Sequence, residues 1–430
     1  MTALLAGPTA AENRIDTQLP GAPELAKYGD LPVGVRTLTV TNKNQIDVAA
    51  IDGSKPKPDT LPMADRTLTL EVWYPAAAGA TGSQVLKAKL RDGKTEVELV
   101  GQARRDAAPA KADSAYPLVI VSHGYPGNRF LLSHLAENIA SKGYVVASID
   151  HKDSTYSDRG PFGSTLVNRP LDQLFVLNEM DRFSKEDGHP MNGLVDASNT
   201  AIIGYSMGGY GAVITAGGGV TDTSIAYPWG APHGLLAAHK GGSDGFKKLF
   251  DPRVKTAIAF APWGMNFAFW DTETLKDVKI PMLYVSGSVD DVSGYEKGVR
   301  AIWQASTGVD RSLLTFDNAN HNAAAPMPAP KEANIFDKDL GFNLADHYAD
   351  AVWDTARMNN IAQHFTTAWL GKHLKGDAAM DAFLELVPNS NDGVYALEKD
   401  GTPKDTHTHW KGFPNRTAKG LRFETLKAGQ

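Results

Sequence analysis

The chain has no cysteine among its 430 residues. This absence excludes thiol catalysis, disulfide bridges and cysteine-ligated zinc, and it leaves the cellular compartment open. The chain also lacks a hydrophobic run of transmembrane length and any concentrated basic run. Its 43 basic and 49 acidic residues give a net charge of −6. This balance argues against a nucleic-acid partner and favours a small or neutral substrate.

The first eleven residues contain no basic start of a signal peptide, but they resemble the small-residue end of one. We therefore interpret residues 1–30 as a flexible terminus or as a residual export signal. An export signal would favour a periplasmic or secreted protein, with the cytoplasm as the alternative. The sequence makes no statement about oligomeric state.

The hydrophobic pattern changes character along the chain. Alternating apolar and polar residues predict two half-buried antiparallel strands at 33–42 and 66–74, and a surface hairpin at 85–100. Continuous apolar runs then alternate with helical patterns, which is typical of a parallel sheet buried on both faces. The predicted strands are 116–122, 144–150, 200–204, 254–261, 280–286 and 311–316. The predicted helices are 129–142, 169–183, the segment after Ser206, 294–304 and 348–374.

These patterns predict an α/β fold with a mostly parallel central sheet of about eight strands, flanked by helices. One domain would span residues 31–375. Two stretches within it, about 158–195 and 217–248, are candidate cap elements over the site, with ordinary surface loops as the alternative. Residues 376–430 would be a C-terminal extension packed on the same domain.

The sequence Gly-Tyr-Ser-Met-Gly at 204–208 joins a predicted strand to a predicted helix. A serine hydroxyl needs a base and an exposed position to act as a nucleophile, and a tight strand-to-helix turn supplies the exposed position. Gly204 and Gly208 would allow the close packing of strand and helix at this turn. Ser206 is thus the candidate nucleophile.

An acid and a histidine follow Ser206, each after a predicted strand. Asp290 comes three residues after Gly287 and is the preferred acid, with Asp291 as the alternative. His321 follows the last predicted strand and is the candidate base, which would take the proton from Ser206 while the acid orients its ring. The chain order of serine, acid and histidine is that of hydrolases with a strand–serine–helix turn.

The loop that follows the strand 116–122 contains His123, Gly124 and Tyr125. We expect the backbone N–H groups of Tyr125 and Met207 to form an oxyanion hole. Tyr125 and Trp263 are candidates for the wall of a substrate pocket. His151 is a candidate for its mouth, with structural hydrogen bonding as the alternative.

Several motifs together resemble the dienelactone hydrolase and platelet-activating-factor acetylhydrolase group of esterases, within the α/β-hydrolase fold. The matching segments are 122–129, 148–154, 169–172, 204–208, 260–264 and the loops of Asp290 and His321, over about residues 70–374. Dienelactone hydrolases proper use cysteine, so the serine indicates the acetylhydrolase side. The resemblance implies hydrolysis of carboxylic esters without a metal or other cofactor.

The function expected from the sequence is hydrolysis of a small-molecule carboxylic ester through an acyl-enzyme formed on Ser206. The substrate would be a small or medium-sized ester, and phthalate or polyester-type esters are a narrower form of this prediction. A serine peptidase or amidase with the same triad is the alternative, and a catalytically inactive binding protein is a further one.

Overall fold

A ten-stranded sheet runs through the protein, and two small sheets lie beside it. The structure is a computed structural model that describes residues 12–111 and 114–430. Of residues 1–30, where we expect a flexible terminus or export signal, the first eleven lie outside the described residues. The rest packs on the domain, because the strand Asn13–Arg14 pairs with the strand Glu96–Val100 and both Ile15 and Ala26 are buried. The strands are β1 (Asn13–Arg14), β2 (Val33–Ile46), β3 (Met63–Pro75), β4 (Val85–Lys89), β5 (Glu96–Val100), β6 (Arg104–Arg105), β7 (Tyr116–Ser122), β8 (Val145–Asp150), β9 (Val195–Tyr205), β10 (Val254–Phe260), β11 (Met282–Gly287), β12 (Arg311–Phe316), β13 (Phe336–Asp337), β14 (Phe342–Asn343) and β15 (Leu421–Leu426).

The centre of the large sheet is parallel, as predicted. The strand order is β15-β12-β11-β10-β9-β7-β8-β3-β2-β6, and the neighbours from β12 to β8 all run parallel. Alternate residues of β7 enter opposite cores, with Val119 and Val121 on one face and Leu118 and Ile120 on the other. Burial of both faces explains why these strands are apolar throughout rather than alternating.

Helices cover both faces of the sheet. They are α1 (Ser133–Ala140), α2 (Phe162–Lys185), α3 (Met207–Thr215), α4 (Asp222–Ile225), α5 (Asp244–Lys247), α6 (Thr272–Leu275), α7 (Arg300–Ala305) and α8 (Thr355–Lys375). Helices α1 and α8 contribute to one core, and α2, α3 and α7 contribute to the other. The α/β-hydrolase fold predicted from the sequence is confirmed.

The sheet has ten strands where about eight are predicted. One additional strand, β6, has only two residues. The other, β15, comes from the predicted C-terminal extension and pairs antiparallel with β12 at the edge of the sheet. Leu421 and Phe423 of β15 are buried in the core, so this part of the segment is a component of the sheet itself.

Helix α2 begins at Phe162, seven residues before its predicted start, and continues through Pro170. Proline has no N–H to bond the carbonyl of Leu166 one turn earlier, which normally disfavours a helix interior. Here the hydroxyl of Tyr210 donates to that carbonyl at 3.1 Å. A contact from another helix therefore replaces the missing hydrogen bond, and the local sequence does not reveal it.

The predicted helix 294–304 is divided in two. A π-type turn, Tyr295–Val299, comes first, and α7 follows. Gly298 in the turn has φ −117° and ψ −107°, which is outside the helical region and breaks the regular spiral.

The two candidate cap segments have different structures. Most of 158–195 is α2, which connects β8 to β9 and packs on the sheet. The segment 217–248 contains α4, α5 and a 3-10 segment, and His239 anchors it to the carbonyl of Val167 on α2 at 2.7 Å. Whether either segment acts as a cap remains a prediction.

None of the helices in residues 12–111 and 114–430 combines the length and the hydropathy needed to cross a membrane.

Candidate active site

Ser206 lies in the tight turn between β9 and α3. Its φ of 54° is in the left-handed region, which is strained for a residue with a side chain. A Cβ on Gly208 would lie 1.9 Å from the carbonyl oxygen of Ser122, and one on Gly204 would lie 2.1 Å from that of Gly208. Glycine is therefore required on both sides of Ser206 for β7, β9 and α3 to pack this closely.

The structure brings Ser206, His321 and Asp290 together. The His321 Nε2 atom is 3.0 Å from Ser206 Oγ, and Nδ1 is 3.0 and 3.1 Å from the two carboxylate oxygens of Asp290. A carboxylate only accepts hydrogen bonds, so Nδ1 carries the proton and Nε2 is free to accept from the serine hydroxyl. This is the tautomer that a general base requires.

Backbone groups orient the carboxylate of Asp290. Its Oδ1 accepts the N–H groups of Ser293 at 2.8 Å and Val292 at 3.0 Å. The alternative acid, Asp291, is exposed and forms no hydrogen bond with His321. The turn after β11 thus directs one of the two adjacent aspartates towards the histidine and the other towards the open cleft.

The loop after β7 passes directly beside Ser206. A Cβ on Gly124 would lie 3.3 Å from the Cβ of Ser206. The N–H of Tyr125 donates to no acceptor among the described residues, and Met207 is the first residue of α3, where an N–H has no intrahelical acceptor. Both N–H groups predicted for an oxyanion hole can therefore donate to a bound oxygen.

His151 does not lie at the mouth of the pocket, and that expectation is wrong. The residue is 1% exposed, and both of its ring nitrogens are occupied. Its Nε2 is 2.8 Å from Ser122 Oγ, and its Nδ1 is 2.8 Å from Asp172 Oδ2. Arg66 donates to both oxygens of Asp172 at 2.7 and 2.8 Å. We call these four residues the buried network.

In the buried network, the Arg66 guanidinium balances the negative charge of Asp172. Burial, assisted by the nearby Arg169 guanidinium, lowers the pKa of His151 to about 3, so its ring is neutral. Burial alone would raise the pKa of Asp172, but Arg66 and His151 hold it well below its usual range. Asp172 is thus ionised and paired with Arg66, and its remaining hydrogen bond orients His151.

Arg169 connects α2 to the loop beside the nucleophile. Its guanidinium donates to the carbonyl of His123 and to the hydroxyl of Ser154. It thereby fixes the peptide bond that precedes Gly124. Residues 169–172 are among the segments that carry the family resemblance. The sequence nevertheless assigned no role to Arg169 or Asp172.

Aromatic rings form one wall beside Ser206. The backbone N–H of Trp263 donates to the backbone carbonyl of Ser206 at 3.3 Å. The indole ring of Trp263 stacks on Phe267. Tyr125 and Trp263 both contact Phe162 edge to face, at 5.2 and 5.3 Å between ring centroids. Trp229, which lies in 217–248, extends this wall and is 47% exposed. That Tyr125 and Trp263 contact substrate remains a prediction.

A cleft of about 550 Å³ opens over Ser206 and His321. Besides these two residues it is lined by Arg91, Gly124, Tyr125, Pro126, Tyr205, Asp291, Val292, Asn320, Asn322, Phe342, Asp346 and His347. In the part of the chain that the structure describes, no three histidine, aspartate or glutamate side chains are grouped closely enough to hold a metal ion.

Two family models match parts of this chain. Residues 27–159 match the family described as platelet-activating factor acetylhydrolase, isoform II, and residues 105–232 match the family described as PET hydrolase-like. The two matches together extend from the start of the sheet to the segment that follows the nucleophile.

Curated relatives are similar over longer segments at lower identity. Cutinase 2 of Thermobifida cellulosilytica is 22% identical over 286 residues, which cover 66% of this chain and 78% of that protein. Cutinase cut1 of Thermobifida fusca has the same identity, and the match covers 64% of its length. Platelet-activating factor acetylhydrolase of Cavia porcellus is 31% identical over 98 residues, or 22% of each chain.

Among solved structures, a ferulic acid esterase from Streptomyces cinnamoneus has the same fold. The TM-score is 0.53 at 21% identity, and the alignment covers 84% of this chain and 96% of that one. The fold and these relatives agree with the resemblance found in the sequence. The chain has the α/β-hydrolase fold and is similar to carboxylic ester hydrolases, among them the platelet-activating factor acetylhydrolase and PET hydrolase-like families.

Proposed function

We propose that the protein hydrolyses carboxylic esters with Ser206 as nucleophile, His321 as general base and acid, and Asp290 as the residue that orients His321. One observation carries this proposal. The hydrogen bonds from Ser206 Oγ to His321 Nε2, and from His321 Nδ1 to Asp290, form a continuous chain that ends at the cleft.

In the first half of the reaction, Ser206 Oγ attacks the ester carbonyl carbon while His321 takes the hydroxyl proton. The N–H groups of Tyr125 and Met207 donate to the carbonyl oxygen as it gains negative charge. The carbon–oxygen bond to the alcohol then breaks, and His321 returns the proton to the departing alkoxide. The products of this half are a free alcohol and an acyl group on Ser206.

In the second half, a water molecule takes the place of the alcohol. His321 accepts its proton as the water oxygen attacks the acyl carbon, and the same two N–H groups again stabilise the oxyanion. Cleavage of the bond to Ser206 Oγ releases the carboxylic acid and returns the proton to the serine. Asp290 stabilises the imidazolium in both halves without becoming protonated.

The substrates that we propose are small or medium-sized esters, including esters of aromatic acids and phthalate or polyester-type esters. The relatives named as cutinases and the PET hydrolase-like family support this range. The aromatic wall of Tyr125, Phe162 and Trp263 would accept an aromatic ring beside Ser206 by edge-to-face or offset contacts.

Turnover of 4-nitrophenyl acetate and 4-nitrophenyl butyrate by Ser206→Ala tests the proposal. Loss of the nucleophile should lower kcat by about a million-fold, as in other serine hydrolases. Ser198→Ala, a change at an exposed serine before the central part of β9, is the matched control and should retain wild-type turnover. Retained turnover in Ser206→Ala would refute the assignment, and faster cleavage of 4-nitroanilides than of esters would favour the amidase alternative.

A further inference from the structure

The tip of the β4–β5 hairpin places an arginine in the cleft. Arg91 lines the cleft together with Ser206 and His321. The main chain around it is held by contacts with other segments, because Asn128 donates to the carbonyl of Lys89 at 3.0 Å and Ser157 donates to that of Gly93 at 3.2 Å. The hairpin thus places the positively charged side chain of Arg91 at the cleft, and contacts with other segments hold its main chain in position.

The Arg91 guanidinium has no acidic partner among residues 12–111 and 114–430. Its Nη1 atom is buried without a hydrogen-bond acceptor, and the group lies 5.9 Å from the ring of Phe342. The adjacent Asp92 is directed into its own turn, where it accepts from the N–H groups of Lys94 and Thr95 and from the Thr95 hydroxyl. A buried donor without an acceptor is costly, and such groups in native proteins usually have a partner.

The other charged residues at the cleft do not supply that partner. Asp291 and Asp346 line it, but both are exposed, and neither forms an ion pair with Arg91. His347 is a neutral neighbour, because desolvation lowers its pKa to about 3, and its Nε2 is hydrogen-bonded to the Tyr156 hydroxyl at 2.7 Å. Among the described residues no acidic group pairs with Arg91, so the part of its guanidinium that lines the cleft is available to an acceptor that enters with a ligand.

We propose that Arg91 binds an anionic oxygen group of the substrate, so that the preferred esters carry a carboxylate or a phosphate in addition to the bond that is cleaved. A guanidinium recognises both groups through paired N–H donors, and pairing would satisfy the donors that the protein leaves free. This inference rests on the proposed function, because it names the substrate class for the same cleft. It also gives the hairpin a role in specificity.

Binding to the Ser206→Ala variant tests Arg91 without requiring turnover. The probes are 4-acetoxybenzoate, 4-acetoxyphenyl phosphate and the neutral methyl 4-acetoxybenzoate, each titrated calorimetrically. At least one anionic probe should bind about tenfold more tightly than the neutral ester, which is the size of one charge-assisted hydrogen bond. The tighter of the two anions identifies the group as carboxylate or phosphate.

Adding Arg91→Gln to this variant should reduce the anionic-to-neutral ratio to near one, and Arg91→Lys should retain part of it. Arg182→Gln is the matched control and should keep the full ratio, since Arg182 is exposed on α2 and paired with Glu179 and Glu186. Equal binding of anionic and neutral probes, or an unchanged ratio in Arg91→Gln, would overturn the inference. Failure of the proposed function would be seen separately, as ester turnover that persists without Ser206.

Discussion

At the scale of single residues, contacts explain the conformation around Ser206. Gly204 and Gly208 allow the strand, the helix and the loop after β7 to meet, and the short motif made these glycines predictable. The choice between Asp290 and Asp291 was less predictable, because it depends on a turn. The N–H groups of Val292 and Ser293 bind the carboxylate of Asp290 and direct it to His321.

Substitution of the two aspartates should therefore have unequal effects. In Asp290→Asn the amide can present its NH₂ group to His321 Nδ1, which favours the wrong tautomer, and we expect kcat to fall by about 10⁴. Asp291→Asn should keep kcat near the wild-type value, because Asp291 forms no hydrogen bond with His321. Measurement of kcat for 4-nitrophenyl acetate decides this, and equal losses in the two variants would contradict the role of Asp290.

At the scale of secondary-structure elements, the sequence predicted the parallel strands well because each is a continuous apolar run. It could not predict how polar side chains connect these elements. The buried network joins β3, β7, β8 and α2 through Arg66, Ser122, His151 and Asp172, and 106 residues separate Arg66 from Asp172. His151 follows a strand end, which favours a pocket position in a sequence, but its partners lie on elements that a local pattern does not bring together.

Replacement of His151 by leucine should destabilise the fold and disturb the loop beside Ser206. Ser122 and Asp172 would each lose a buried hydrogen-bond partner, and leaving a buried polar group unsatisfied typically costs about 1 to 3 kcal/mol of unfolding free energy. Because Ser122 ends β7 directly before His123 and Gly124, we expect kcat to fall, and by a larger factor than the change in KM. Denaturant unfolding and steady-state kinetics measure the two effects, and wild-type stability would contradict the structural role of the network.

At the scale of the whole molecule, the C-terminal segment belongs to the sheet. The sequence placed 376–430 on the same domain as an extension and did not identify β15, because a six-residue strand has a weak pattern and its partner β12 is about 110 residues earlier. The burial of a side chain also depends on the fold of the whole chain. It lowers the pKa of His134, His151 and His364 to about 3 in each case.

These buried histidines predict a loss of stability in mild acid. In the folded protein they stay neutral down to a pKa of about 3, whereas in the unfolded chain they take up protons below their ordinary pKa of about 6.5. The unfolded state thus binds more protons between these values, so stability falls as pH decreases. Each fully protonated group contributes about 1.4 kcal/mol per pH unit.

We expect the Tm to be nearly constant from pH 8 to 7 and to fall progressively from pH 6.5 to 4.5. Carboxylates begin to titrate towards the lower end of this range, so the decrease between pH 6.5 and 5.5 reports mainly on histidine. Differential scanning calorimetry in buffers of equal ionic strength measures it. A Tm that does not change between pH 7 and pH 4.5 would contradict burial of these histidines in the neutral form.

The described part of the protein contains two hydrogen-bonded sets of serine, histidine and aspartate, and we propose that only one of them is catalytic. Ser206 with His321 and Asp290 opens to the cleft, whereas Ser122 with His151 and Asp172 is buried. Reaction with a fluorophosphonate, followed by peptide mapping with mass spectrometry, distinguishes them most directly. We expect one phosphonate on the peptide that contains Ser206 and none in Ser206→Ala. A label on Ser122, or an unlabelled Ser206, would contradict this proposal.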